Sequence, residues 1–321
     1  MEVGVATTTM EVKSQLAQAL QSQRLVITAE CLPPRGGDGA AVKRIIASIP
    51  KAVSALVIAE NHEDIRASAL ACAALFVGEK VEPVLPLVTR DRNRIALQSD
   101  VLGAAALGCR NILCVSGDHQ TLGVCPQAAG AFDMDPLQLL LALKAMRDDG
   151  VLVGRVANST HTGGERLAPP PALFLGAVVH PFLRPMKLNI LQTKKKVAAG
   201  AQFLLTQPVW DMALLAEWMS AARDAGVLER AHVLVSVRPL VNAEQGETLQ
   251  KRHKSAAIPD AILARLRKAG PDPSGKEGAA VCAELAAKAK EIQGVRGIHV
   301  LSGGREDALA PILEQAGLTR A

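Results

Sequence analysis

Eight polar side chains sit at or just beyond the ends of apolar, β-branched runs: Glu30, Glu60, Thr89, Asp118, His180, Gln207, Arg238 and Arg305. Such groups can move a proton, hold a charge or read the edge of a heterocycle. Glu30 lies between Ala29 and Cys31, where an unpaired carboxylate would be costly to bury. It is either half of an ion pair with Arg35 or a carboxylic acid kept protonated to donate a proton. Asp118 follows Ser116-Gly117, and a glycine there lets backbone approach a flat ligand closely. Its plainer role is to cap a loop. Gln207, in LLTQPVWD, offers a donor and an acceptor, or simply orders its own loop. Lys194, Lys195 and Lys196 read as the first part of a helix, where the dipole disfavours cations unless an anion compensates. The alternative is a solvated face.

These residues need elements to position them. Residues 25–31, 54–60, 81–89, 111–116, 172–180, 202–206, 232–237 and 297–302 read as strands. Helical sequence follows each of them. Helices are expected at 39–49, 65–77, 93–107, 136–147, 189–199, 212–225, 258–269, 277–291 and 306–315. Asp135 with Pro136 marks one helix start, and Gly108 marks one end. Strand–helix alternation repeated eight times over 321 residues predicts an α/β fold, a single (β/α)8 TIM barrel spanning residues 1–321. A helical extension is expected at about 1–23. The runner-up is a doubly wound sheet, but no strand leads into G-x-G-x-x-G. In a barrel the strand C-termini form the active face, so the eight residues would converge there. Residues 154–171 form an additional loop before the fifth strand, and 241–257 is a substrate loop or a solvated surface.

Composition narrows the chemistry. The chain has no tyrosine, two tryptophans and five phenylalanines, although 49% of it is hydrophobic. Base stacking and any tyrosine-dependent catalysis are therefore excluded. A net charge of +5 falls short of a nucleic-acid-binding signature but suits anionic ligands. No apolar stretch is long enough to span a membrane, and the N-terminus does not read as a signal peptide. Six cysteines without a CxxC pair read as reduced, mostly buried thiols and point to a cytoplasmic setting. The histidines at 62, 119, 161, 180, 232, 253 and 299 form no HExxH or Cys/His quartet, so no metal is expected.

The segments ITAECLPPRG, LVTRDRNRIALQSDVLGAAALGCRNILCVSGDHQ, KKKVAAGAQFLLTQPVWD and GIHVLS resemble the methylenetetrahydrofolate reductase family. They occur in the family's order and extend over residues 25–305. The resemblance implies a flavoprotein barrel that reduces 5,10-methylenetetrahydrofolate to 5-methyltetrahydrofolate, in one-carbon metabolism and methionine biosynthesis. It implies FAD, with FMN as the alternative, fed by NAD(P)H or by an electron-transfer partner subunit, in a homo- or hetero-oligomer. By the same resemblance Glu30 is the catalytic acid and Asp118 the catalytic aspartate near flavin and pterin. Gln207 and Arg305 would contact the folate. Gly117, Asp118, His180, Gln192, Lys195 and Lys196 would hold the flavin.

The chain also departs from the family pattern. Pro86 stands where many members have histidine, Leu301 where a tyrosine is familiar, and Gly303-Gly304 where a polar pair is found. The nearest ring to the folate motif is Trp210. These departures point to an electron donor other than free NADH. Two other readings stand beside the reductase: a folate- and corrinoid-linked methyl-transfer barrel, and a non-catalytic subunit that keeps the fold.

Overall fold

The β-branched runs become eight parallel strands: β1 (Val26–Cys31), β2 (Ala55–Ile58), β3 (Pro83–Val88), β4 (Asn111–Val115), β5 (Phe174–Val179), β6 (Phe203–Thr206), β7 (His232–Val237) and β8 (Val295–Val300). Each pairs with the next and β8 pairs with β1, closing the barrel. This is the (β/α)8 architecture read from the sequence. The computed structural model describes residues 14–22, 24–61, 64–154, 166–253, 256–270, 272 and 275–319. The expected extension before residue 14, and residues 155–165 of the expected loop, lie outside the described residues.

Helices α1 (Gln15–Gln21), α2 (Gly39–Ser48), α3 (Ala69–Gly78), α4 (Arg94–Ala106), α5 (Pro136–Asp148), α6 (Met186–Ala198), α7 (Met212–Asp224), α8 (Ala243–Arg252), α9 (Asp260–Ala269), α10 (Lys276–Ala289) and α11 (Leu309–Gln315) complete the chain. Side chains set several of their N-terminal ends. Asn93 caps α4 by accepting from the Ile95 and Ala96 amides, and Asp135 closes a capping box with Gln138 ahead of Pro136. Two expectations change. The region 241–257 contains α8, whose Asn242 cap accepts from Gln245 N at 2.8 Å. Its polar composition hid it, because only Ala243 and Gly246 are buried. Helix α6 begins at Met186 behind Pro185, not at 189, so Lys195 and Lys196 occupy its last turn. Cations are favourable at that end, and the dipole argument for a compensating anion disappears.

The barrel interior is filled by Val26, Ala55, Val57, Val84, Leu113, Phe174, Phe203, Leu205 and Leu234. The Phe174 and Phe203 rings stack at 5.2 Å, so two of the few aromatic residues serve as barrel filling. From α1, Leu16 and Leu20 close the bottom of the barrel, both fully buried. Each contributes about 1.5–3 kcal/mol of apolar burial.

His299 faces this interior beside Thr28, with Nδ1 3.0 Å from the hydroxyl. Burial pulls its pKa down to about 4. The unfolded chain therefore takes up the proton more readily than the fold does. The stability this represents, about 3 kcal/mol, is present above pH ~6.5 and is lost as pH falls through about 4. Urea unfolding at pH 7.5 and 4.5 should show a drop that His299→Gln largely removes. An equal acid dependence in both proteins would refute this role.

Candidate functional site

Strand side chains alternate, so the interior positions can be counted upward to the open C-terminal end. From Val26, Phe174, Phe203 and Leu234, steps of two reach Glu30, His180, Gln207 and Arg238. These four share the mouth. Glu60 and Thr89 have the opposite parity. Glu60 is buried outside the barrel in a two-pronged ion pair with Arg92, with one contact at 3.0 Å. Arg92 in turn meets Asp100 at 2.9 Å. Glu60 is thus structural, and Thr89 is buried on the same outer side.

The expected Glu30–Arg35 ion pair does not form, because Arg35 pairs with Asp64. Instead the Gly303 N–H donates to Glu30 Oε2 at 2.9 Å, and the Ser302 hydroxyl donates to the Glu30 carbonyl at 3.2 Å. Both contacts cross the β8–β1 seam. Glu30 is half-buried, and its Oε2 is fixed as an acceptor.

Gly117 has φ +75°, and a Cβ there would lie 2.6 Å from Val88 Cγ1. Glycine is required on both counts. The turn it allows is held by Arg90, which is 7% exposed. Its Nη1 donates to the Asp118 carbonyl at 2.8 Å, its Nη2 to the Asn61 carbonyl at 3.2 Å, and its Nε to Asp91 at 2.7 Å. No role was read for Arg90 in the sequence. The signal available was the Arg-Asp-Arg run directly after a strand.

His253, beyond α8, brings Nε2 to 3.9 Å from Asp118 Oδ2. Arg252 Nη2 donates to the Leu122 carbonyl at 3.1 Å. The loops after β4 and β7 therefore meet over the mouth. His180 Nδ1 is buried without a hydrogen-bond partner, and the ring lies edge-on to Phe182 at 6.3 Å. Burial first, then the nearby His253 and Lys196, hold His180 below the ordinary imidazole range. At neutral pH it is an uncharged imidazole.

Lys196 is half-buried, and its Nζ donates to the Val178 carbonyl at 2.7 Å. Burial lowers its pKa, and among the described residues no carboxylate pairs with it. Gln192 and Lys195 are exposed on α6, outside the mouth, within about 100° of Lys196 around the helix. Lys195 also lines a surface cavity of about 360 Å³ with Gly226 and Arg230, beyond the end of α7. Arg305 is half-buried after β8, with Nε 3.3 Å from Asp307 Oδ1. Trp210, the ring expected nearest the folate motif, is packed in the outer core at 3% exposure and offers no face to the mouth.

Five of the six cysteines are buried, and none is in a disulfide. Burial pushes the Cys109 thiol up to about 12 and raises Cys31, Cys114 and Cys282 as well, so these are not thiolate nucleophiles. Among the described residues no group of three His, Cys, Asp or Glu side chains could hold a metal ion. No helix among them is long and apolar enough to cross a membrane.

Barrel and mouth define a (β/α)8 protein whose chemistry-bearing side chains gather at the strand C-termini. Residues 15–137 and 172–317 match the methylenetetrahydrofolate reductase family, and the chain belongs to that family. In structure it is similar to an uncharacterized protein from Clostridium thermocellum that binds two copies of 5-methyl-5,6,7,8-tetrahydrofolic acid. The TM-score is 0.61 at 14% identity, covering 94% of this chain and 98% of that one. It is also similar to 2,3-dimethylmalate lyase, a PEP mutase/isocitrate lyase superfamily member. There the TM-score is 0.50 at 12% identity, covering 95% of this chain and 87% of that one. At such identities these likenesses concern the fold. No curated protein matches the chain in sequence.

Proposed function

We propose that the protein is a flavin-dependent reductase of 5,10-methylenetetrahydrofolate, forming 5-methyltetrahydrofolate. The observation that carries this reading is Glu30, a carboxyl group at the barrel mouth with one oxygen tied to the Gly303 amide. Opening the folate's five-membered ring needs a proton on nitrogen. With Oε2 occupied as an acceptor, Oε1 is the oxygen left to pass a proton to the folate. Asp118 supplies negative charge toward the cationic iminium that ring opening creates. Gln207, exposed at the end of β6, supplies an amide for the pterin edge. Arg305 is assigned to the folate's glutamate tail.

The residues fit a flavin. His180 has an unanswered buried nitrogen, Lys196 a half-buried ammonium with no carboxylate partner among the described residues, and Gly117 a half-buried turn that carries no side chain. Gly117, Asp118, His180 and Lys196 would hold it, with Gln192 and Lys195 reaching from the flank of α6. Bound there, FAD (or FMN) would supply the hydride for folate reduction. NAD(P)H or an electron-transfer partner subunit is the proposed donor, and the family setting suits an oligomer.

The Clostridium thermocellum protein makes 5-methyltetrahydrofolate the first ligand to test. The purified chain should carry yellow flavin and should oxidise 5-methyltetrahydrofolate with an artificial electron acceptor, which bypasses the donor. A colourless protein that takes up no added flavin and shows no such turnover would overturn the proposal.

A further inference from the structure

Arg238 stands immediately after β7, two steps above Ser236 and four above Leu234 on the interior face. It is half-buried, and among the described residues it has no hydrogen-bond or ion-pair partner. A guanidinium removed partly from water without an acceptor is costly. Glu30, on the other side of β8, does not answer it: its carboxylate is turned to the Gly303 amide at 2.9 Å. Between them lies the Gly303-Gly304 turn, at φ +61° and +84°. A Cβ on Gly303 would point toward Arg238, with Nη2 as its nearest neighbour at 3.9 Å. Glycine places nothing there. The gap above β8 is therefore bounded by a carboxyl group on one side and a planar five-donor cation on the other.

We propose that Arg238 is a second oxyanion-recognising residue of the mouth, in addition to Arg305, taking a carboxylate or phosphate of the bound ligand into the space left open by Gly303. A guanidinium fork matches either oxyanion with two parallel N–H bonds, which a lysine cannot reproduce. The proposal rests on the folate and flavin reading for its ligands, each of which carries such a group: the glutamate tail of the folate or the phosphate of the flavin. Arg238 then decides which form of the ligand is held, while Glu30 acts on the reacting ring.

Two ligand pairs separate the sources. Calorimetry would compare 5-methyltetrahydrofolate with its analogue lacking glutamate, and FMN with riboflavin. The wild-type protein should prefer the anionic member of one pair by about tenfold or more. Arg238→Met keeps the apolar stem. It should reduce that preference to within about twofold while leaving the neutral member's affinity unchanged. Arg238→Lys should fall between. The pair that responds names the source. Retained preference in Arg238→Met, or equal weakening of all four ligands, would overturn the proposal.

A second readout does not need folate or flavin binding. The Arg238 Nε–Hε resonance, identified by its absence from Arg238→Met, should shift on titration with inorganic phosphate or glutarate. If none of the four ligands binds, the proposed function fails. The titration then judges Arg238 alone, and an unmoved resonance overturns its assignment.

Discussion

Glu30→Gln should lower folate reduction by about 10²–10⁴-fold while leaving reduction of the flavin by its donor nearly unchanged. The substitution is nearly isosteric. Its amide oxygen can still accept the Gly303 N–H, so the β8–β1 seam keeps its contact. What is lost is a proton that can leave. An amide N–H donates a hydrogen bond but does not transfer its proton to a ring nitrogen. Because ring opening precedes reduction of the folate, the defect belongs to the second half-reaction alone. Anaerobic stopped-flow measurement of the two half-reactions resolves it, with the melting temperature as a check on folding. Unchanged rates in both would remove Glu30 from the proton-donor role. Equal loss in both would point to damaged flavin binding instead.

Gly278→Ala is the substitution expected to harm the fold most per atom added. Gly278 lies in the first turns of α10, and a Cβ there would come 1.6 Å from the Leu240 carbonyl oxygen and 2.7 Å from its carbon. Those atoms are backbone, so no rotamer change relieves the clash. Either α10 moves outward or the segment after β7 moves inward, and that segment carries Arg238. Overpacking against an unyielding neighbour costs about 3 kcal/mol or more. The gain in helix propensity, about 1 kcal/mol, does not offset it.

Gly103→Ala is the matched control. It is also helical, in α4, with nothing within 4 Å of a Cβ, and should stabilise by up to about 1 kcal/mol. Thermal unfolding of the three proteins decides the matter. A Gly278→Ala variant as stable as the wild type would mean that the helix and the β7 segment are not locked together.

Much of the fold was legible because its signals are local. Strand β7 was read at its observed bounds, and the Asp135–Pro136 start of α5 follows from side chains within one turn. The misplaced start of α6 and the missed α8 have a shared cause. Both lie in stretches whose apolar pattern is weak, so periodicity does not mark the first turn: α8 starts at its Asn242 cap, and α6 starts behind Pro185. The candidate site was legible as a set of strand-end residues, but not as a geometry. Glu60 and Glu30 look alike in sequence, each closing a β-branched run. One is buried in an ion pair with Arg92 and the other opens to the mouth. The scarcity of aromatic residues was equally visible. Their placement in the barrel filling and outer core was not.

The sequence by itself determined an eightfold alternation of strand and helix, the membership of a reductase family and the types of side chain at the strand ends. Periodicity and propensity are properties of neighbouring residues, and one chain displays them in full. Only the tertiary structure decided which strand ends face inward and what each meets there. Glu30 is answered by an amide 273 residues away, and Arg238 is left beside a glycine that follows another strand. Barrel closure creates those adjacencies, and no local pattern along the chain encodes them.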